Sequence, residues 1–268
     1  MWTYLWQNFL IDAKIRSYIA DKILTLYHEK WCDALIEIWP GKGSITKLIQ
    51  TISDNFFVIE KDETLIPNLK FQIPNLKLFE GDVLELDVEE MLKEKKLSPK
   101  KTLVVGNLPY YITSPILRKF FTDDSGWYWS DNFWWSKNRF LGGIFMVQDE
   151  VGQKVKSDAR KKSYLRRLLN YAYDVMYLKW VSVKCFKPAP KVKSCLIQLT
   201  IKNWELKIDW EKLIEFLELF APFNRKTLGA IQKMIQKKSG MNIIIPESLQ
   251  KKRLEELTWK NLESILVS

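Results

Sequence analysis

The chain is short of glycine, cysteine and histidine. It has 10 glycines in 268 residues, where average usage of about 7% would give roughly 19. Three cysteines, Cys32, Cys185 and Cys195, are scattered and match no metal spacing. That excludes a zinc ribbon and a disulfide framework, and reads as buried reduced thiols. The single histidine, His28, lies near the end of a helical pattern beside Glu29 and Lys30. A Ser-His-Asp triad would have to use it, and a solvated helix-end histidine suits that position better. No apolar run approaches the roughly 20 residues of a membrane span, and the N-terminus lacks a signal-peptide pattern. The expectation is a cytoplasmic protein. Low-complexity sequence is scarce, so an extended disordered chain is excluded as well.

What is present is apolar residues at 47%, charged residues at 28%, and a formal charge of +10. The first supports a proper core, and the last suggests a polyanionic partner, most often nucleic acid. Tryptophan is abundant: 12 residues, more than the glycines.

Apolar runs alternate with helical patterns. A helix is predicted over 12–30, then strands "ALIEI" (34–38), "FFVIEKD" (56–62), "LKLFEGD" (76–82) and "TLVVGN" (102–107). A helix is predicted for "SITKLIQTI" (44–52). Further strands are "GGIFMVQ" (142–148), "YDVMYLKWV" (173–181) and "SCLIQLTI" (194–201). This alternation predicts an α/β domain with a mostly parallel sheet. From about residue 204 the patterns are helical, so a domain over 1–203 and a small helical domain over 204–268 are expected. Residues 122–141, rich in tryptophan, fit neither period and read as a long polar loop.

In an open α/β sheet, ligands bind beyond the carboxyl ends of the strands. Those ends here are Glu37 with the loop Trp39-Pro40-Gly41-Lys42-Gly43, then Glu60, Asp82 and Asn107. A glycine-rich loop admits a nucleotide-like ligand. Glu60 is placed to accept from ribose hydroxyls and Asp82 from an adenine amine. The loop lacks the full G-x-G-x-x-G pattern and no Walker lysine follows, so an adenosyl group without phosphates fits better, as in S-adenosylmethionine. No metal site is expected. The stretch "GNLPYYITSPIL" (106–117) has the groups to methylate an exocyclic amine, whose nitrogen is a poor nucleophile. The Asn107 side-chain oxygen and the carbonyl before or at Pro109 can accept its two N–H bonds. Tyr110 can stack on the base, and Pro109 fixes the turn.

"QNFLID" (7–12), "EIWPGKGSIT" (37–46), "VIEKD", "GDVLELD", "NLPYYITSPIL", "FKPAPKVKSCLIQL" (186–199) and "FNRKTL" (223–228) occur in that order. Together they resemble the rRNA adenine N6-dimethyltransferase family. The resemblance implies a Rossmann-like S-adenosylmethionine-dependent methyltransferase sheet with a small C-terminal helical domain. It implies a monomer that dimethylates adjacent adenines of small-subunit rRNA late in ribosome assembly. "RKTL" is similar to the small-subunit branch rather than the large-subunit branch that gives macrolide resistance. By motif, Asn8, Leu10, position 39, Gly41, Glu60, Asp82 and Asn107 are expected to hold the cofactor. Asn107, Leu108, Pro109 and Tyr110 are expected at the transfer centre, with Phe186 as the other face of an aromatic clamp. Basic stretches 159–167 and 236–240 are expected to hold rRNA phosphates. The family carries a basic segment ahead of "QNFL", where this chain has five residues before Trp6.

Trp39 stands where the family has glycine, and so does Trp6. Replacing the tryptophans of 122–141 by glycine gives an ordinary flexible loop. Many tryptophans here therefore read as glycines encoded by UGA, a codon that is tryptophan in one variant code and glycine in another. Were Trp39 genuine and blocking, the alternative is a non-catalytic RNA-binding assembly factor.

Overall fold

The computed structural model describes residues 8–122, 140–158, 163–202 and 208–267. In chain order the elements begin with β1 (Phe9–Leu10), α1 (Ala13–Glu29), β2 (Ala34–Ile38), α2 (Thr46–Ile49) and β3 (Phe56–Glu60). They continue with α3 (Ile66–Gln72), β4 (Lys77–Glu80), α4 (Val88–Glu94), β5 (Thr102–Asn107), α5 (Thr113–Phe121) and β6 (Gly142–Gln148). Then come α6 (Asp149–Val155), α7 (Tyr164–Ala172), β7 (Tyr173–Val181), β8 (Phe186–Lys187) and β9 (Ser194–Ile201). The chain closes with α8 (Trp210–Phe220), α9 (Leu228–Ser239) and α10 (Trp259–Leu266).

A seven-stranded sheet has the order β4-β3-β2-β5-β6-β9-β7. The first five strands are parallel, and β9 and β7 are antiparallel to their neighbours. The central parallel strands are buried on both faces, which is why they read as continuous apolar runs. Successive residues of β2 alternate between two clusters. Ala34, Ile36 and Ile38 face one side, with α5 and α7, and Leu35 faces the other, with α1. Strand order reverses between β2 and β5, and crevices form at such switch points. There the two backbones nearly touch: a Cβ at Gly106 would lie 2.5 Å from the Ile38 carbonyl oxygen. Only glycine allows that spacing.

Two expectations differ. The predicted helix over 44–52 contracts to the single turn of α2. Its β-branched residues, Ile45, Thr46, Ile49, Thr51 and Ile52, disfavour continuation. A second sheet pairs β1 with β8 antiparallel, Leu10 opposite Phe186, and two-residue strands carry no period to read.

After Ile201 the named elements are helical. Leu213, Leu217, Phe220, Leu228, Ile231 and Ile265 belong to the same apolar cluster as Phe121 and Tyr173 of the sheet region. The helices are therefore fastened to the sheet by shared core. Polar ties reinforce this. The Tyr171 hydroxyl donates to the Ile208 carbonyl at 2.5 Å and accepts from its N–H at 2.6 Å. The buried Arg167 guanidinium donates to the Leu254 carbonyl. Arg166 donates to the carbonyls of Lys156 and Ser157. Arg166 and Arg167 thus both tie parts of the fold together, and the buried Arg167, expected among the phosphate-holding residues of 159–167, is withdrawn from that role. Residues 159–162 of that stretch lie outside the described part, as do most of loop 122–141, Trp6 and Trp204.

Candidate functional site

A cavity of about 790 Å³ opens at the carboxyl ends of β2, β3, β4 and β5. It is lined by Asn8, Leu10, Trp39, Gly41, Glu60, Asp82, Asn107, Leu108, Pro109 and Tyr110, together with Pro188–Val192. The strand-end residues singled out from sequence thus converge on one space.

The loop after β2 shapes one wall. Trp39 donates its N–H to the Ile59 carbonyl at 3.0 Å, extending the ladder by one rung. Gly41 then turns with φ +58°, and a Cβ there would press the Phe9 ring at 3.2 Å. That turn aims the Gly41 N–H at Glu60 Oε2, 3.1 Å away. The other carboxylate oxygen accepts from the Asp62 N–H at 2.9 Å. Glu60 is completely buried. Burial raises its pKa, and the backbone N–H bonds oppose the rise. Two fixed donors leave unused lone pairs on an oriented carboxylate, the arrangement that suits neighbouring ribose hydroxyls.

Glu37, one residue from the end of β2, is 2% exposed, and its Oε2 has no hydrogen-bond partner among the described residues. Burial pushes its carboxyl up to about 8, opposed by the Thr46 hydroxyl beside it and reinforced by Glu60. A buried carboxyl with an orphaned oxygen in a cavity wall leaves a polar atom for a ligand to satisfy. It was visible in the sequence as a charged residue inside an apolar strand.

Asp82 lies beyond β4. Its Oδ1 accepts from the Leu84 N–H at 2.9 Å and its Oδ2 from Lys61 Nζ at 2.7 Å. The turn is backed by Lys119 of α5, a buried ammonium that donates to the carbonyls of Leu84 at 2.9 Å and Leu86 at 2.7 Å. Burial lowers the Lys119 pKa to about 8. Neither the surface ion pair of Lys61 nor the inward ammonium of Lys119 was anticipated from sequence, because lysine spacing carries no signal for either.

Asn107 ends β5. Its Nδ2 donates to the Asn8 carbonyl at 3.2 Å, which fixes the amide and leaves Oδ1 as an acceptor. The Pro109 carbonyl already accepts from the Ile112 N–H and the Thr113 hydroxyl, each at 3.2 Å. The Leu108 carbonyl, before Pro109, is therefore the second acceptor left for an amine. The half-buried Tyr110 shares a 2.6 Å hydrogen bond with Ser194, and its neighbour Tyr111 is 70% exposed at the cavity rim.

Phe186 departs from expectation. It is 4% exposed and packs in the cluster with Leu10 and Leu196. Pairing with Leu10 turns it into core, so it does not line the cavity as the second face of a clamp. The segment it begins does reach the site, through Pro188–Val192. Among the described residues no cluster of three or more metal-ligating side chains occurs, and no helix is long and apolar enough to cross a membrane.

The family model described as ribosomal RNA adenine dimethylase matches residues 3–261. The chain is 32% identical to a ribosomal RNA small subunit methyltransferase A of Chlorobium phaeobacteroides, over 95% of this chain and 86% of that protein. It is 31% identical to the protein of the same name from Mycoplasma capricolum, over 98% and 90%. Among solved structures, a dimethyladenosine transferase from Plasmodium falciparum superposes with a TM-score of 0.73 at 21% identity, covering 96% of each chain. The 23S rRNA methyltransferase ErmE superposes with a TM-score of 0.65 at 20% identity, covering 97% of this chain and all of that one. These two similarities show the shared Rossmann-like fold.

Proposed function

The chain belongs to the ribosomal RNA adenine dimethylase family, and on that premise we propose that it dimethylates the N6 amines of two adjacent adenines near the 3′ end of small-subunit rRNA. The methyl donor is S-adenosylmethionine, and the work is done in the cytoplasm by a monomer late in subunit assembly. The observation that carries the reading is the convergence of Glu60, Asp82 and the Asn107–Tyr110 turn on one cavity.

The residues present fit the donor. Glu60 would hold the ribose hydroxyls, Asp82 the adenine amine, and Gly41 and Leu10 would pack against the adenosyl group. Glu37, protonated in the ligand-free protein at neutral pH, would give up its proton on binding and turn its unpaired oxygen to the positive end of the methionyl moiety. When bound, S-adenosylmethionine supplies an electrophilic methyl on a sulfonium sulfur.

The target adenine leaves its stack to reach the cavity. Tyr110 would stack on it, and Asn107 Oδ1 and the Leu108 carbonyl would accept its two N–H bonds. Two acceptors favour a pyramidal nitrogen with a directed lone pair and stabilise the positive charge that develops there. No strong base is required, since the amine proton becomes acidic only as that charge forms and then passes to solvent water. After the first methylation one N–H remains for these acceptors, which permits the second. Lys237 and Lys238, exposed at the end of α9, together with Arg225 and Lys226, would contact rRNA phosphates. Residues 204–268 serve on this reading as an rRNA-facing helical domain.

Incubation with labelled S-adenosylmethionine and a mixture of undermethylated ribosomal subunits tests the proposal. Label is expected in small-subunit RNA. Label confined to large-subunit RNA would instead support the resistance-type activity, and label in neither would support a non-catalytic assembly factor.

A further inference from the structure

Trp31 and Trp39 have φ of +51° and +52°. Among the described non-glycine residues, Lys96 alone shares that region. A left-handed backbone is uncommon for any residue with a Cβ, and for a bulky one it is an outlier.

Each position belongs to a motif that selects glycine. Trp31 follows Lys30, the residue that caps the C-terminus of α1. Its N–H donates to the His28 carbonyl at 3.2 Å, and the Cys32 N–H donates to the Tyr27 carbonyl at 3.1 Å. These paired bonds define a Schellman ending with Trp31 at its left-handed residue, ordinarily glycine. The chain uses glycine in the equivalent place after α9, Gly240 at φ +72°. Trp31 is 84% exposed, so little packing offsets the strain. Trp39 opens a loop that is left-handed at alternate residues, and the other two are Gly41 at +58° and Gly43 at +74°.

Trp259 provides a contrast. It begins α10 after a Thr258 cap, and its ring lies 5.1 Å from that of Tyr171 against the main core. A glycine there would lose that packing.

We propose that positions 31 and 39 are glycine in the protein its own cell makes, each encoded by UGA, whereas Trp259 is a true tryptophan encoded by UGG. Backbone geometry and the glycine deficit carry this assignment. Its consequence for position 39, a cavity wall without an indole, rests on the function proposed above.

Peptide masses of the protein isolated from its native source, read beside the gene's codons, decide the matter. Glycine masses at 31 and 39 over UGA codons, with tryptophan at 259, are expected. A tryptophan mass or a UGG codon at either 31 or 39 overturns the assignment. Calorimetry with S-adenosylmethionine then compares the chain as written with Trp39→Gly, for which at least tenfold tighter binding is expected. Glycine in the native peptides together with absent methyl transfer would overturn the function and leave the assignment standing. Methyl transfer with native tryptophan would do the reverse.

Discussion

Asn107 donates its side-chain N–H to the carbonyl of Asn8 at 3.2 Å, across 99 residues of sequence. One hydrogen bond thereby orients the acceptor oxygen of the transfer centre and docks the segment that leads into β1. Asn107→Asp keeps the size but cannot donate to the Asn8 carbonyl. A loss in kcat of about 10²-fold or more is expected, the scale of removing one preorganised polar group. The change in KM for S-adenosylmethionine is expected to be smaller. Single-turnover kinetics with saturating donor checks the split.

Glu60 receives two backbone N–H bonds and is completely buried. Glu60→Ala should weaken donor binding by about 10- to 100-fold, in line with roughly 1.5–3 kcal/mol for hydrogen bonds to a charged group. Titration calorimetry reads this directly.

Glu37 predicts a pH dependence. Its pKa is raised by burial from 4.5 to about 8, so the folded protein holds a proton that the unfolded chain has released across that window. Stability of the ligand-free protein therefore falls as pH rises from about 4.5 to 8. Glu60, shifted upward as well, contributes in the same sense. Glu37→Gln should flatten the slope in denaturant unfolding measured at a series of pH values. An unchanged slope would remove Glu37 from this role.

Lys119 satisfies two carbonyls of the turn that presents Asp82. Lys119→Met leaves both without their donor, and a loss of about 2 kcal/mol or more is expected. Donor affinity should fall with it, since the Asp82 turn loosens. Thermal unfolding and calorimetry on the same variant test both parts.

Trp31 precedes β2, is not among the residues that line the cavity, and is highly exposed. Trp31→Gly relieves a left-handed residue and should raise stability by about 1 kcal/mol. Trp31→Ala keeps a Cβ and should give little of that gain. Equilibrium denaturation of the pair separates conformational relief from loss of an exposed indole.

The sheet and the strand-end residues were legible because apolar runs ending in Glu60, Asp82 and Asn107 carry both period and position. Pairwise geometry was not. The β1–β8 ladder has two residues per strand, so nothing indicated that Leu10 would turn Phe186 into core. Arg167 reads as a surface cation in a basic run, yet it is buried and bound to the Leu254 carbonyl. The choice between the Leu108 and Pro109 carbonyls needed the turn that follows, in which the Ile112 N–H and the Thr113 hydroxyl occupy the latter. Trp39 stood out against its neighbours in sequence, whereas the case for Trp31 depended on backbone angles.

The most direct test of the account counts modified nucleosides. Small-subunit RNA lacking the modification is treated with the Trp39→Gly protein and S-adenosylmethionine, digested, and analysed by mass spectrometry. The account predicts two N6,N6-dimethyladenosines per subunit, abolished by adding Asn107→Ala. Their absence, or their persistence in the Asn107→Ala protein, would contradict it.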